Sequence, residues 1–255
     1  VRRMRQYRIE HFQLGPTLGY TLQDEYARSI MVGVEGNYHF FDFLGVGFWA
    51  AMANFGNAFQ IDTDLTSQIV ANGQTAPNNR LSLPDSASFS GQVARLQGVV
   101  SAHLLFAPLR GKLALFQGAF VDTDFYVLAG FAGAFVEERA DVEGQAARDC
   151  LNNPPGTMDQ CDATQTERQT RFAPTVMLGV GLNLYFNEFL GLALQWRAFP
   201  FDMNPDGTDF AGGSGDASVS QTDGLIDAQD QRFYVHHLVN IGLVFNLPPE
   251  VSVSE

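Results

Sequence analysis

The sequence predicts an all-β chain: eight antiparallel strands closed into an up-and-down transmembrane β-barrel. Three observations predict it. First, bulky apolar residues recur at every second position in segment after segment, and at that spacing the side chains of a strand share one face. Second, the intervening row is Gly, Ala, Asn and Gln with few charges. A soluble sandwich would turn Lys, Glu and Thr to water, whereas a bulky outer face over a small, polar inner face suits a barrel in lipid. Third, very short links alternate with long ones, as between the two rims of an outer-membrane barrel.

The strands are expected at roughly 7–21, 29–40, 44–55, 91–106, 125–138, 171–186, 190–200 and 231–247. In the first, Phe12, Leu14, Pro16, Leu18 and Tyr20 alternate with Gln13, Gly15, Thr17 and Gly19. In the second, Ile30, Val32, Val34, Tyr38 and Phe40 alternate with Met31, Gly33, Glu35, Asn37 and His39. The third sets Leu44, Val46, Phe48 and Met52 against Gly45, Gly47, Trp49 and Ala51. The fourth sets Leu96, Val100, Leu104 and Phe106 against Arg95, Gln97, Ser101 and His103. The fifth is apolar on both rows and assigns no face. The sixth alternates Phe172, Val176, Leu178 and Leu182 with Ala173, Thr175, Gly179 and Asn183. The seventh alternates Leu190, Leu192, Leu194 and Trp196 with Gly191, Ala193, Gln195 and Arg197. The eighth alternates Phe233, Val235, Val239 and Ile241 with Tyr234, His236, Leu238 and Asn240.

The links 41–43 and 187–189 are very short, and 56–90, 139–170 and 201–230 are long. The long ones are expected outside the cell. The link 107–124 breaks the rule: it lies on the short-turn side, with room for a helical turn or a small plug. The two short turns also resemble each other, Phe40-Phe41-Asp42-Phe43-Leu44-Gly45-Val46 beside Phe186-Asn187-Glu188-Phe189-Leu190-Gly191-Leu192. Aromatics flanking an acidic tip suit the headgroup belt at the lower rim.

Composition agrees. Charged residues are 17% of the chain, against roughly 25% in soluble domains. Lys112 is the only lysine among the 255 residues. The mean hydropathy of -0.05 excludes a bundle of membrane helices, and the longest apolar runs fall short of the ~18 residues a spanning helix needs. One barrel domain over 1–255 is expected. The numbered chain opens on Val1 without a signal peptide, and a processed chain is the expectation.

The stretches "PTLGYTLQDEYARSIMVGVEGNYHFFDFLGVG", "IDTDLT" and "HHLVNIGLVFNLPP" resemble the small outer-membrane β-barrel domain family of myxobacteria and their relatives. More distantly the chain is similar to the eight-stranded OmpA and OmpX type. The resemblance implies the outer membrane of a Gram-negative bacterium, with lipid and lipopolysaccharide as surroundings. It also implies protein partners in a cell-envelope assembly, since some members are implicated in gliding machinery. It supplies no catalytic motif.

Candidate sites are sparse. Cys150 and Cys161 bracket "LNNPPGTMDQ". Outside the cytoplasm a disulfide is the expectation, worth roughly 3 kcal/mol in the chain-entropy model, with free thiols or a metal pair as the rival. Within the acidic 201–230 loop, "DMNPDG" places Asp202, Asn204, Asp206 and Gly207 in the first half of a calcium-loop pattern. The second half fails at Gly213, and Asp209 or Asp216 would have to substitute; a solvated acidic loop is the other reading. The expected inner row carries Glu35, Arg95, His103, Gln195, Arg197 and Asn240. These would form either a structural plug, because side chains just fill an eight-stranded barrel, or a narrow ion path. Counting from the two short turns brings Glu35 and Arg197 to similar depths, with Arg95 as a second candidate partner for Glu35.

No cofactor is required by any motif. Of His11, His39, His103, His236 and His237, none stands in a nucleophile motif, and neither G-x-S-x-G nor H-E-x-x-H occurs, so catalysis is not expected. The pI of about 4.6 opposes nucleic-acid binding, which needs a basic surface. The cluster Arg2, Arg3, Arg5 and Arg8 is expected by the periplasmic rim, near lipid phosphates. A structural or interaction role in the envelope and a narrow channel for ions or small solutes are the two readings left.

Overall fold

The computed structural model describes residues 9–22, 24–53, 59–73, 89–115, 119–139, 168–187, 189–211 and 226–247. Nine strands result: β1 (Phe12–Leu22), β2 (Ala27–Phe41), β3 (Leu44–Met52), β4 (Gln60–Asp62), β5 (Arg95–Leu115), β6 (Ala119–Glu138), β7 (Gln169–Tyr185), β8 (Leu190–Met203) and β9 (Arg232–Leu247). β1 pairs with β2 on one side and with β9 on the other, so the order β1-β9-β8-β7-β6-β5-β3-β2 returns to its start. Every pairing is antiparallel. Eight strands thus make a closed barrel, the form in which a sheet has no edge left for lipid to meet. Among the described residues no helix is long and apolar enough to cross a membrane.

The alternation explains the wall. Outward residues include Leu18, Val34, Phe48, Leu104, Phe131 and Leu178, all exposed, with Phe131 at 77%. Their inward neighbours are buried or half-buried. A band of exposed hydrocarbon and aromatic side chains around a closed sheet is what a bilayer core accepts and water does not. The fifth expected strand, apolar on both rows, resolves by register: Tyr126, Leu128, Ala134 and Val136 are buried, and Phe125, Val127, Phe131 and Phe135 are exposed.

Two links carry structure of their own. The link 107–124 is neither a helical turn nor a plug. β5 and β6 run on through it as one long hairpin, paired from Leu109↔Phe125 to Leu115↔Ala119, with a register shift between Phe106 and Leu109 around Pro108. β3 leaves β5 at Phe106, so the hairpin overhangs the rim that carries the two short turns. The 56–90 link, in turn, carries β4, which pairs with Ala27–Ser29 of β2, then helix α1 (Asp64–Asn72), capped by Thr63, and the short helix α2 (Phe89–Gln92). A 3-10 turn at Ala228–Asp230 precedes β9.

One ladder is incomplete. β6 pairs along the whole of β7, and β9 pairs along the whole of β8. β7 and β8 pair with each other only from Leu178↔Ala198 down to Tyr185↔Gly191. Above Leu178 the two strands are bridged by side chains: Thr175 Oγ1 donates to the Pro200 carbonyl at 2.6 Å, and Arg171 Nη2 donates to the Asp202 carbonyl at 2.7 Å. Pro174 and Pro200 stand on opposite sides of this seam. Neither has an N–H to give a ladder, and proline in sheets is confined to edges and irregularities for that reason.

Candidate functional site: the filled lumen

At mid-height four of the six expected interior residues meet. The Glu35 carboxylate lies 3.0 Å from Arg197 Nη2. It also accepts from Asn37 Nδ2 (3.1 Å) and Gln195 Nε2 (2.8 Å). Arg197 donates from Nε and Nη2 to Gln195 Oε1 at 3.1 and 2.8 Å. It also lies 3.4 Å from Met177 Sδ through Nη1, and its guanidinium stands 4.5 Å from the centre of the Trp49 ring. Gln195 Nε2 reaches Tyr126 Oη at 2.7 Å, and His103 Nε2 lies 3.1 Å from Asn37 Oδ1. The strands dictate this convergence: Glu35, His103, Gln195 and Arg197 are inward positions of β2, β5 and β8, and an eight-stranded ring leaves an interior only about one side chain deep from each wall.

A buried carboxylate and a buried guanidinium are each costly alone, so each must find its counterpart and fill its remaining hydrogen-bonding positions. Both do. Glu35 and Arg197 are buried, and together with Gln195 and Tyr126 they occupy the lumen. Below them lies a polar cavity of about 10 Å³ lined in part by Gln13, Asn183 and Gln195, room for about one water. Deeper still, Gln13 Nε2 donates to Tyr185 Oη (3.1 Å) and Asn246 Oδ1 (2.9 Å).

Above the network the lumen changes character. Trp49 stacks on Phe199 with centroids 6.2 Å apart, and Met31, Met177, Phe201 and Met203 belong to the same buried apolar cluster. A polar cap closes the top. Glu138 accepts from Arg171 Nε (2.6 Å) and from the Asn204 amide (2.8 Å), and Asp230 accepts from the amides of Phe210, Ala211 and Asp227. Arg139, just beyond β6, donates to the Gly207 carbonyl at 2.9 Å, and burial lowers its guanidinium to about 10.

The remaining expected residues fall elsewhere. Arg95 is not near Glu35. It stands at the upper rim, donating to Asp62 (2.9 Å) and Gln60 (2.8 Å) of β4. Asn240 is buried on β9 beside Gln195 in the ladder, but its amide atoms find no hydrogen-bond partner among the described residues. Asn204, Asp206 and Gly207 form a turn. Asn204 Oδ1 accepts from the Gly207 amide at 3.0 Å, Thr208 Oγ1 donates to Asp206 at 2.9 Å, and Gly207 holds φ +62°. A Cβ there would come within 2.4 Å of the Gln92 carbonyl, so glycine is required. Asp202, at the end of β8, is exposed, and Asp209 is buried. Among the described residues no three His, Cys, Asp or Glu side chains converge as a metal site. Cys150 and Cys161, and the cluster Arg2, Arg3, Arg5 and Arg8, lie outside the described residues. Asn37, Trp49, Tyr126 and Met177 complete the network and were not singled out from the sequence. Asn37 and Trp49 stand on the expected inner rows, so a polar or ring-bearing residue there was the available signal.

No family model matches the chain, and no curated protein matches it. Remote similarities to solved structures are found. The N-terminal β-barrel domain of Pseudomonas aeruginosa OprF is similar at 8% identity over 94% of this chain and 98% of that one, with a TM-score of 0.44. The outer membrane protein OprG from the same organism is similar at 10% identity, with 94% and 97% covered and a TM-score of 0.44. Ail, the attachment invasion locus protein of Yersinia pestis, shows 10% identity, 93% and 97% coverage and a TM-score of 0.34.

Proposed function

We propose that this chain is a non-enzymatic outer-membrane β-barrel, one domain over 1–255, that serves as a structural and interaction component of a Gram-negative cell-envelope assembly. The observation that carries the reading is the filled lumen. With Glu35, Arg197, Gln195 and Tyr126 bonded across it, the rims are the surfaces left for recognition. The resemblance to the myxobacterial barrel family supports a place in surface or motility machinery, with lipid and lipopolysaccharide around the wall and protein partners at the rims. Reconstitution into planar bilayers tests it: no conductance steps above the bare membrane are expected, and a steady ohmic conductance would overturn it.

A narrow channel is the second reading, favoured by the cavity beneath Gln195 and the buried amide atoms of Asn240 that find no partner among the described residues. Orientation has its own test. A protease-cleavable tag in 201–230 is expected to be cut on whole cells and one after Pro249 to be spared; the reverse pattern refutes the assignment of rims.

A further inference from the structure

We propose that the seam between β7 and β8 is a lateral portal that admits a single acyl chain from the surrounding leaflet into the upper lumen. This goes beyond the envelope role, which concerns the rims. Three observations converge. The first is the ladder, which stops at Leu178↔Ala198 although both strands continue upward and keep their outer neighbours. Strand continuity without strand pairing leaves the two walls bridged by side chains, those of Thr175 and Arg171 on β8 carbonyls and that of Met177 beside Arg197 Nη1. The prolines Pro174 and Pro200 withhold two donors at the same place, so the gap is written into the sequence.

The second observation is what lies outside. Phe172, Val176, Leu178 and Trp196 flank the seam and are exposed on the lipid-facing wall. Hydrocarbon chains are therefore the medium against it. The third is what lies behind. Ala173, Met177, Phe199 and Phe201 are buried in the apolar cluster that fills the upper lumen. Most small outer-membrane barrels are polar inside, and an apolar interior at the height of an unzipped, lipid-facing seam matches hydrocarbon on both sides of the opening. Met177 is flexible and Ala173 small, so an entering chain meets residues that yield. Below, the Glu35–Arg197 pair bars further passage, because a chain reaching it would strip a buried charge of its partners.

The test uses the intact protein folded into phospholipid nanodiscs containing a diazirine-bearing palmitic acid. After irradiation and digestion, mass spectrometry locates the adducts. Labelling of inward-facing Met177, Phe199 and Phe201, in addition to outward-facing Phe172, Val176 and Leu178, is expected. Labelling confined to the outward residues overturns the proposal. Thr175→Val, which removes one bridge, is expected to raise the inward share severalfold. The double variant Pro174→Ala with Pro200→Ala, which restores two donors, is expected to lower it. Inward labelling that is the same in all three proteins would mean entry from an open end and would overturn the seam. Should a variant fail to fold, the labelling pattern of the unaltered chain still decides.

Discussion

The lower and upper halves of the lumen are built on different physics. At mid-height and below, the interior is crossed by specific bonds, Glu35 to Arg197, Gln195 to Tyr126 and Gln13 to Asn246, with Leu105 and Ala107 buried beside them. From Trp49 and Phe199 upward it is packed as the core of a soluble protein is, with Met31, Phe201 and Met203 in one buried apolar cluster. The difference teaches how each half tolerates change. A charged pair in low dielectric depends on one partner in one place, and losing it strands the other. An apolar cluster depends on volume, which several residues can supply.

Substitutions can break or sharpen that contrast, and the largest effect belongs to the lower half. Arg197→Ala leaves Glu35 buried without its cation and is expected to lower stability by about 3–5 kcal/mol, read by urea unfolding of the folded barrel in bilayers. The double variant with Glu35→Ala is expected to cost less than the two single changes summed. Strict additivity would mean that the two halves do not differ as described.

Met31→Leu probes the upper half with a change of similar volume. Met31 is fully buried, and the expected cost is less than about 1.5 kcal/mol, far below that of removing Arg197. A cost equal to that of Arg197→Ala, in the same urea titration, would erase the comparison.

Smallest is Arg95→Ala. This residue is also an arginine paired with a carboxylate, but Asp62 is about one-third exposed at the rim. Water competes there, and about 1 kcal/mol or less is expected. A loss as large as at Arg197 would show that burial of the pair does not set the cost.

Face and strand number were legible because period two is a local property: Glu35, His103, Gln195 and Arg197 could be assigned inward from their own neighbours. Height was not legible. Arg95 lies eight residues above His103 on the same sequence row, but a register shift between Leu96 and Gly98 intervenes, and Arg95 meets β4 rather than β2's carboxylate. That depends on register with strands distant in sequence. Tyr126 escaped because both rows of its strand are apolar, and only its pairing with Gly181 assigns it a face. The overhang beyond Phe106 escaped because Pro108 interrupts the alternation, and a strand that resumes past a register shift no longer matches its own earlier rows. Pro174 and Pro200 were visible, but nothing local says that they face each other across one seam. At Asn204–Gly207 the spacing of oxygens was visible, but their bonds within the folded turn were not: Asn204 Oδ1 accepts from the Gly207 amide and Asp206 from the Thr208 hydroxyl.

The β5–β6 overhang has a consequence for how the molecule lives among its neighbours. Beyond the rim β5 stays paired with β6 from Leu109 to Leu115, but on its other side no described strand flanks it past Phe106. Such a bare margin invites the same margin of another molecule, the first step towards stacked strands and precipitate. Arg110 and Lys112 place charge along it, with Arg110 turned to Asp42 and Asp124 and Lys112 to Asp122. Within the barrel, ring closure gives every strand two partners over at least part of its length. The chain's single lysine stands on the stretch where β5 has lost one of them, and charge on an exposed edge opposes pairing with a second copy.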